Sequence, residues 1–131
     1  MSVKQSSSIG KLSFVNLYSN NFSRLIEFYR DILGLEPLLH NKGNWFGFKT
    51  GETIFALEPE NNRKAYDFDF NKQNPILLQF NVSSIAELEK ITKSLENKGV
   101  RIKQKLKEKS YGVITTFVDP DNNVIELLVS S

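Results

Sequence analysis

The chain has 131 residues, 40% of them hydrophobic, which is enough for one domain with its own core. Seventeen basic against 15 acidic residues leave a net charge of +2, too near balance to call for a polyanionic partner, and neither a nucleic acid nor a membrane is expected. Cysteine is absent, which excludes disulfides, thiolate metal sites and thiol nucleophiles; with a Ser-rich start and no apolar run long enough to span a bilayer, the expectation is a cytoplasmic protein.

In chain order, Leu12 to Tyr18 alternates, Val15 and Leu17 facing one way and Phe14, Asn16 and Tyr18 the other, as a strand covered on one side does. Asn20 or Asn21 is placed to cap a helix whose apolar residues Phe22, Leu25, Ile26, Tyr29 and Ile32 recur at three and four. Gly34 supplies a left-handed stop. Leu35 to His40, Asn44 to Lys49 and Glu52 to Glu58 read as three short strands, turning at Asn41-Lys42-Gly43-Asn44 and around Thr50-Gly51. The polar connection from Pro59 to Asn74 carries Tyr66, Phe68 and Phe70 at alternating positions, which suits a lid or, as favoured here, a subunit contact.

The order then restarts. Ile76, Leu78 and Phe80 alternate with Leu77, Gln79 and Asn81 as a strand. Ser84-Ile85-Ala86-Glu87 is a capping box ahead of Leu88, Ile91 and Leu95 on one helical face, and Gly99 is the stop. Val100 to Glu108, Tyr111 to Val118 and Val124 to Val129 complete a second set of three strands. The fold class is therefore α+β: two βαβββ modules, about 11–58 and 75–129, joined by the connection 59–74 within one domain.

Phe28-Tyr29-Arg30-Asp31-Ile32-Leu33-Gly34-Leu35 after the first strand, and Asp119-Pro120-Asp121-Asn122-Asn123-Val124-Ile125-Glu126-Leu127 near the end, resemble the vicinal oxygen chelate superfamily. That group includes glyoxalases, extradiol dioxygenases, bleomycin-resistance proteins and fosfomycin-resistance enzymes, and the similarity runs from about Lys11 to Val129. The resemblance implies a curved mixed sheet around a cup-shaped cavity, and a homodimer, since members are commonly dimers. In metal-dependent members, four strand positions hold a divalent cation, and the motifs match these to Phe14, Ala56, Pro75 and Glu126. Phe and Ala offer no donor atom and Pro only a carbonyl, so no metal and no other cofactor is expected; a two-residue slip would bring in Glu58 for Ala56.

If those positions face the cup, alternation adds Asn16, Tyr18, Ile54, Glu58, Leu77, Gln79, Asn81, Val124 and Leu128 to the same face. The opposite positions, from Val15 and Leu17 through Phe80, Ile125 and Leu127, are all apolar, as a helix-covered face should be. An even-length turn at Thr50-Gly51 puts Trp45 and Lys49 on Ala56's side and leaves Phe46 and Phe48 for the core. The same counting across Lys42-Gly43 pairs His40 with Trp45, while the facing of Tyr111 to Val118 stays open.

The candidate ligand-binding residues are thus Phe14, Asn16, Tyr18, His40, Trp45, Glu58, Gln79 and Glu126, with no catalytic residue assigned. Glu126 reads equally as an acceptor for ligand and as a family remnant satisfied by its neighbours, and His40, without a second acid or nucleophile at motif spacing, reads as a solvated strand-end residue. Arg101, Lys103, Lys105, Lys107 and Lys109 alternate along one strand face, a pattern that suits attraction of phosphate or an acidic ligand, but they read more readily as an edge guarded against unwanted pairing. The expected function is metal-free binding of a small, partly aromatic organic molecule, such as sequestration of an antibiotic-like compound; bleomycin itself, a cation, suits the few acidic residues poorly. The alternatives are a lyase or dioxygenase-like enzyme with a metal site rebuilt from His40, Glu58 and Glu126, a metal-free isomerase, and a partner-binding module with no internal ligand.

Overall fold

A computed structural model describes residues 8–41, 43–67 and 74–131, with the side chains of 39–41 outside the description. Strand β1 (Phe14–Ser19) is followed by helix α1 (Phe22–Glu27), which runs on as a π-helical stretch, Phe28–Ile32, and by β2 (Glu36–Asn41), β3 (Trp45–Thr50) and β4 (Thr53–Pro59). The second module repeats the order with β5 (Leu77–Asn81), α2 (Ile85–Asn97), β6 (Ile102–Lys109), β7 (Gly112–Val118) and β8 (Val124–Ser130). Each module is one four-stranded mixed sheet, in the orders β1-β4-β3-β2 and β5-β8-β7-β6, and neither closes into a barrel. This is the α+β, two-module architecture that the repeat predicts. No helix among the described residues is long and apolar enough to cross a membrane.

The helices begin and end for identifiable reasons. Ser84 Oγ accepts from the Glu87 backbone N–H at 3.1 Å, so the capping box forms. Gly34 and Gly99 both stand in left-handed conformation, φ +82° and +77°, where a side chain would be strained. Asn21 occupies the N-cap position of α1 but makes no side-chain cap; its amide instead donates to Asp121 Oδ1 at 2.9 Å. The switch from α to π geometry, with Leu33 N–H bonding to the Phe28 carbonyl, departs from the regular helix that the periodicity predicts. It accompanies the burial of two consecutive aromatics, Phe28 and Tyr29.

One apolar core joins the modules. Phe46, Phe48, Phe55 and Leu57 of the first sheet, Phe117, Ile125 and Leu127 of the second, and Leu25, Leu88 and Leu95 of the helices belong to a single cluster. Phe28 packs on Phe117 with ring centroids 6.2 Å apart, and Phe55 meets Phe80 edge-on at 6.1 Å. The two family-like motifs meet here as well: the Tyr29 hydroxyl donates to Asp119 Oδ2 at 2.6 Å. Asp119 also accepts from the backbone N–H groups of Asp121 and Asn123, and Asp121 accepts from the Ser19 hydroxyl. The modules therefore contact each other through their helix-covered faces, and the opposite sheet faces look away from the shared core.

Three sequence-based expectations need correction. A three-residue connection, 42–44, pairs Asn41 with Trp45 and His40 with Phe46, because an odd loop shifts the parity by one. Pro75 precedes β5, whose first residue is Leu77. The basic run does not alternate on one face, since β6 is interrupted by register shifts between Ile102 and Gln104 and between Gln104 and Lys107, with Leu106 at φ +50°. The Leu106 N–H released from the ladder is satisfied by Thr115 Oγ1 at 3.2 Å.

Candidate functional site

Glu126 lies on the outward face of β8 and is only 6% exposed. Strand register places Gln79 beside it on β5 and Thr116 on β7, and Gln104 of β6 lies opposite Thr116. Four polar residues thus form one row across the whole sheet, on a face that also carries Ile114 and Leu128. Gln79 Nε2 donates to Glu126 Oε1 at 2.6 Å, and the Tyr111 hydroxyl makes a long bond to the same oxygen at 3.5 Å. Those donors offset the cost of burying the carboxylate, and Oε2 has no bonded partner among the described residues. Burial pushes the Tyr111 phenol above its ordinary range, and the neighbouring Glu126 carboxylate pushes it further.

A cavity of about 670 Å³ opens against this row, with Ile76, Leu77, Ile114 and Tyr111 as apolar and aromatic wall and Lys103, Gln104 and Lys109 on the β6 side. Lys103 and Gln104 are consecutive, so a regular strand would send one of them to the opposite face; both line the cavity where the register shifts between Ile102 and Gln104. The volume is within the range of sites for small organic ligands.

The other expected site residues stand on the first sheet. The Trp45 indole lies over Gly47, where an added Cβ would come within 2.6 Å of it, and it packs against Phe14 with ring centroids 6.0 Å apart. Its Nε1 donates to Asn16 Oδ1 at 3.3 Å. Phe46 and Phe48 are buried in the core, as counting from the turn at Gly51 predicts. Asn16 and Tyr18 border a separate cavity of about 120 Å³ with Tyr66 of the connection, and Glu58 pairs with Tyr18 across β4 and β1. His40 is paired with Phe46 in β2, and its side chain lies outside the described residues, as do Phe68 and Phe70 of the connection. Gln79 and Glu126 are therefore brought together, and so are Phe14, Asn16 and Trp45, but the cavity at Glu126 is lined by no residue of the first sheet.

The residues present do not fit the divalent cation of the metal-dependent relatives. Register makes Leu77 the counterpart of Phe14: Phe14 pairs with Ile54, two residues before Ala56, and Leu77 pairs with Val124, two before Glu126. Leu77 in place of Pro75 still offers no donor atom, so one carboxylate remains of four positions. Glu58 and Glu126 are on different sheets, and no group of three or more His, Cys, Asp or Glu is placed to hold an ion among the described residues.

Sequence reasoning does not reach Tyr111, Thr116 or Gln104 as site residues, and it reaches Lys103 and Lys109 only as part of a basic run suited to an acidic ligand or to guarding an edge. A signal existed for Thr116: the five turn-forming residues Asp119 to Asn123 form the loop that leaves Val118 opposite Val124, from which Thr116 falls opposite Glu126. The bulges of β6 leave no such signal.

Comparison with known proteins agrees with this architecture. The Nostoc punctiforme glyoxalase/dioxygenase superposes with a TM-score of 0.81 at 20% identity, covering 100% of this chain and 98% of that one. Lactoylglutathione lyase from Agrobacterium tumefaciens gives 0.70 at 20% identity, with 94% and 96% covered. In sequence, the uncharacterized protein YraH of Bacillus subtilis (strain 168) is 31% identical over 127 residues, which covers 89% of this chain and 96% of YraH. The family profile matches residues 11–127, and the chain belongs to the Glyoxalase/Bleomycin resistance protein/Dioxygenase superfamily.

Proposed function

We propose that the chain binds a small, partly aromatic organic molecule against Glu126 without the aid of a metal ion, and sequesters it rather than converting it. The observation that carries this reading is the state of Glu126. Its companion positions Phe14, Ala56 and Leu77 have no ligand atoms, yet the carboxylate is kept buried beside a cavity of about 670 Å³, with Oε1 bonded to Gln79 and Oε2 without a bonded partner among the described residues. Tyr111 and the aliphatic wall suit an aromatic or antibiotic-like compound.

The same reading includes a homodimer. Phe14 and Tyr18 of the first outward face and Leu77 of the second are large apolar residues 44%, 50% and 48% exposed, on strands that edge their sheets. A second copy would cover them and could bring the Phe14 and Trp45 wall of one chain over the Glu126 cavity of the other.

The test uses protein purified without chelator. Elemental analysis is expected to find no stoichiometric transition metal, and thermal-shift binding of a panel of aromatic acids, amines and neutral compounds is expected to be the same before and after dialysis against EDTA. A bound metal whose removal abolishes binding would overturn the proposal.

A further inference from the structure

We infer that the molecule held against Glu126 is an organic anion that also carries a hydroxyl or amino donor, its anionic group taken by Lys103 and Lys109 and its donor by Glu126 Oε2. This rests on the small-molecule reading above and narrows it to a chemical class. The first support is the backbone of β6. A strand with perfect alternation could not place Lys103 and Gln104 on one wall, nor carry Gln104 opposite Thr116 and Lys107 opposite Ile114 on a common face three residues apart. Two irregularities and a leucine in left-handed conformation accompany both, and that conformation is one that non-glycine residues rarely adopt. Bulges recur where a side chain must be re-aimed, and here the bulged strand brings Lys103 and Gln104 into the lining of one cavity.

The second support is the charge left uncompensated along this strand. Lys105, turned the other way, is paired with Glu96 of α2 at 2.8 Å. Lys103, Lys107 and Lys109 have no ion-pair partner among the described residues, and Lys103 and Lys109 of these line the cavity. Two lysines against one carboxylate leave the lining of the cavity with a positive excess, which favours an anionic ligand. Glu126 adds the polarity: a wholly basic cavity would take any anion, whereas a buried acceptor beside it selects one that brings a donor and penalises an analogue lacking it.

Three probes separate the elements of this class: para-hydroxybenzoate, with anion and donor; para-methoxybenzoate, with the anion alone; and para-hydroxybenzamide, with the donor and no charge. Titration calorimetry at low salt is expected to show para-hydroxybenzoate binding at least about tenfold more tightly than either analogue, the scale of one charge-assisted hydrogen bond. The double variant Lys103→Met with Lys109→Met should erase the advantage of the acid over the amide, and Glu126→Gln should shrink that of hydroxyl over methoxy. Thermal unfolding of each variant verifies that it is folded. Equal binding of all three probes, or a preference for the acid that survives loss of both lysines, overturns the anion class while leaving small-molecule binding in place. Binding of none of the three at millimolar concentration overturns both.

Discussion

At the scale of single residues, the two most informative groups are acids held in place by a tyrosine. Glu126 and Tyr111 share an oxygen-to-hydroxyl contact at 3.5 Å, and the phenol is pushed up by burial first and by the carboxylate second. Glu126→Gln removes only the second cause, so the Tyr111 titration, isolated in ultraviolet difference spectra against Tyr111→Phe, should move partway back toward the ordinary value of about 10. An unchanged titration would mean the two side chains do not interact in solution. Asp119 is the structural counterpart: burial raises its carboxyl above the usual range although Tyr29, Asn123 and the backbone all donate to it. The folded state therefore holds a proton there more tightly than the unfolded chain does. Stability from this group is greatest below the unfolded value of about 3.9 and declines as pH rises from there through the raised folded value. Measured by urea unfolding between about pH 4 and pH 7, the stability of the protein relative to Asp119→Asn should fall with rising pH; a flat or rising difference would refute the assignment. The sequence shows both acids in one motif, and Glu126 stands out there because a charge in an apolar strand needs donors. Tyr29 as the partner of Asp119 is not legible, because the two are 90 positions apart and meet only through tertiary packing.

At the scale of elements, what the sequence reveals is what local chemistry decides. Ser84 and Glu87 determine the start of α2 without reference to the rest of the chain, and Ser84→Ala should cost about 0.5–2 kcal/mol in urea unfolding; a change within experimental error would mean the cap is unimportant here. Alternation likewise sorts Val15 and Leu17 from Phe14 and Asn16 correctly, since burial on one face of a strand imposes a period of two. The misreadings fall where one residue changes parity: the 42–44 connection that pairs His40 with Phe46, and the bulges of β6. Composition does not record either, because a lysine at a bulge is the same residue as a lysine in a regular ladder. The first sheet offers a check on a different local feature. Trp45 is the only tryptophan, and its ring occupies the space where a side chain at position 47 would begin. Gly47→Ala should push the indole off the sheet and away from Asn16, seen as red-shifted emission with little loss of stability, because the obstructing atoms belong to a movable side chain. Unshifted emission would show that the ring does not lie there.

At the scale of the whole molecule, the shared core sets what one chain can and cannot assemble. Both helices and the inner faces of both sheets are joined in one cluster, fastened by Phe28 on Phe117, Phe55 on Phe80 and the Tyr29 bond to Asp119, so the outward faces cannot fold onto each other without breaking that core. The residues expected to share a cup are accordingly split, with Phe14, Asn16 and Trp45 on one face and Gln79 and Glu126 on the other. No property of the sequence distinguishes pairing within a chain from pairing between chains, since the same alternation serves both. Exposed Phe14 and Leu77 favour pairing between chains, because leaving such side chains in water forgoes roughly 1.5–3 kcal/mol for each one that could be fully buried. Light scattering on the eluting protein should then give the mass of two chains. Phe14→Glu with Leu77→Glu, placed on faces that contribute nothing to the core of a single chain, should give a folded species with the mass of one chain and weaker ligand binding. A wild-type protein of single-chain mass that binds its ligand fully would show that the cavity at Glu126 suffices alone, and the Phe14 and Trp45 face would then need another occupant.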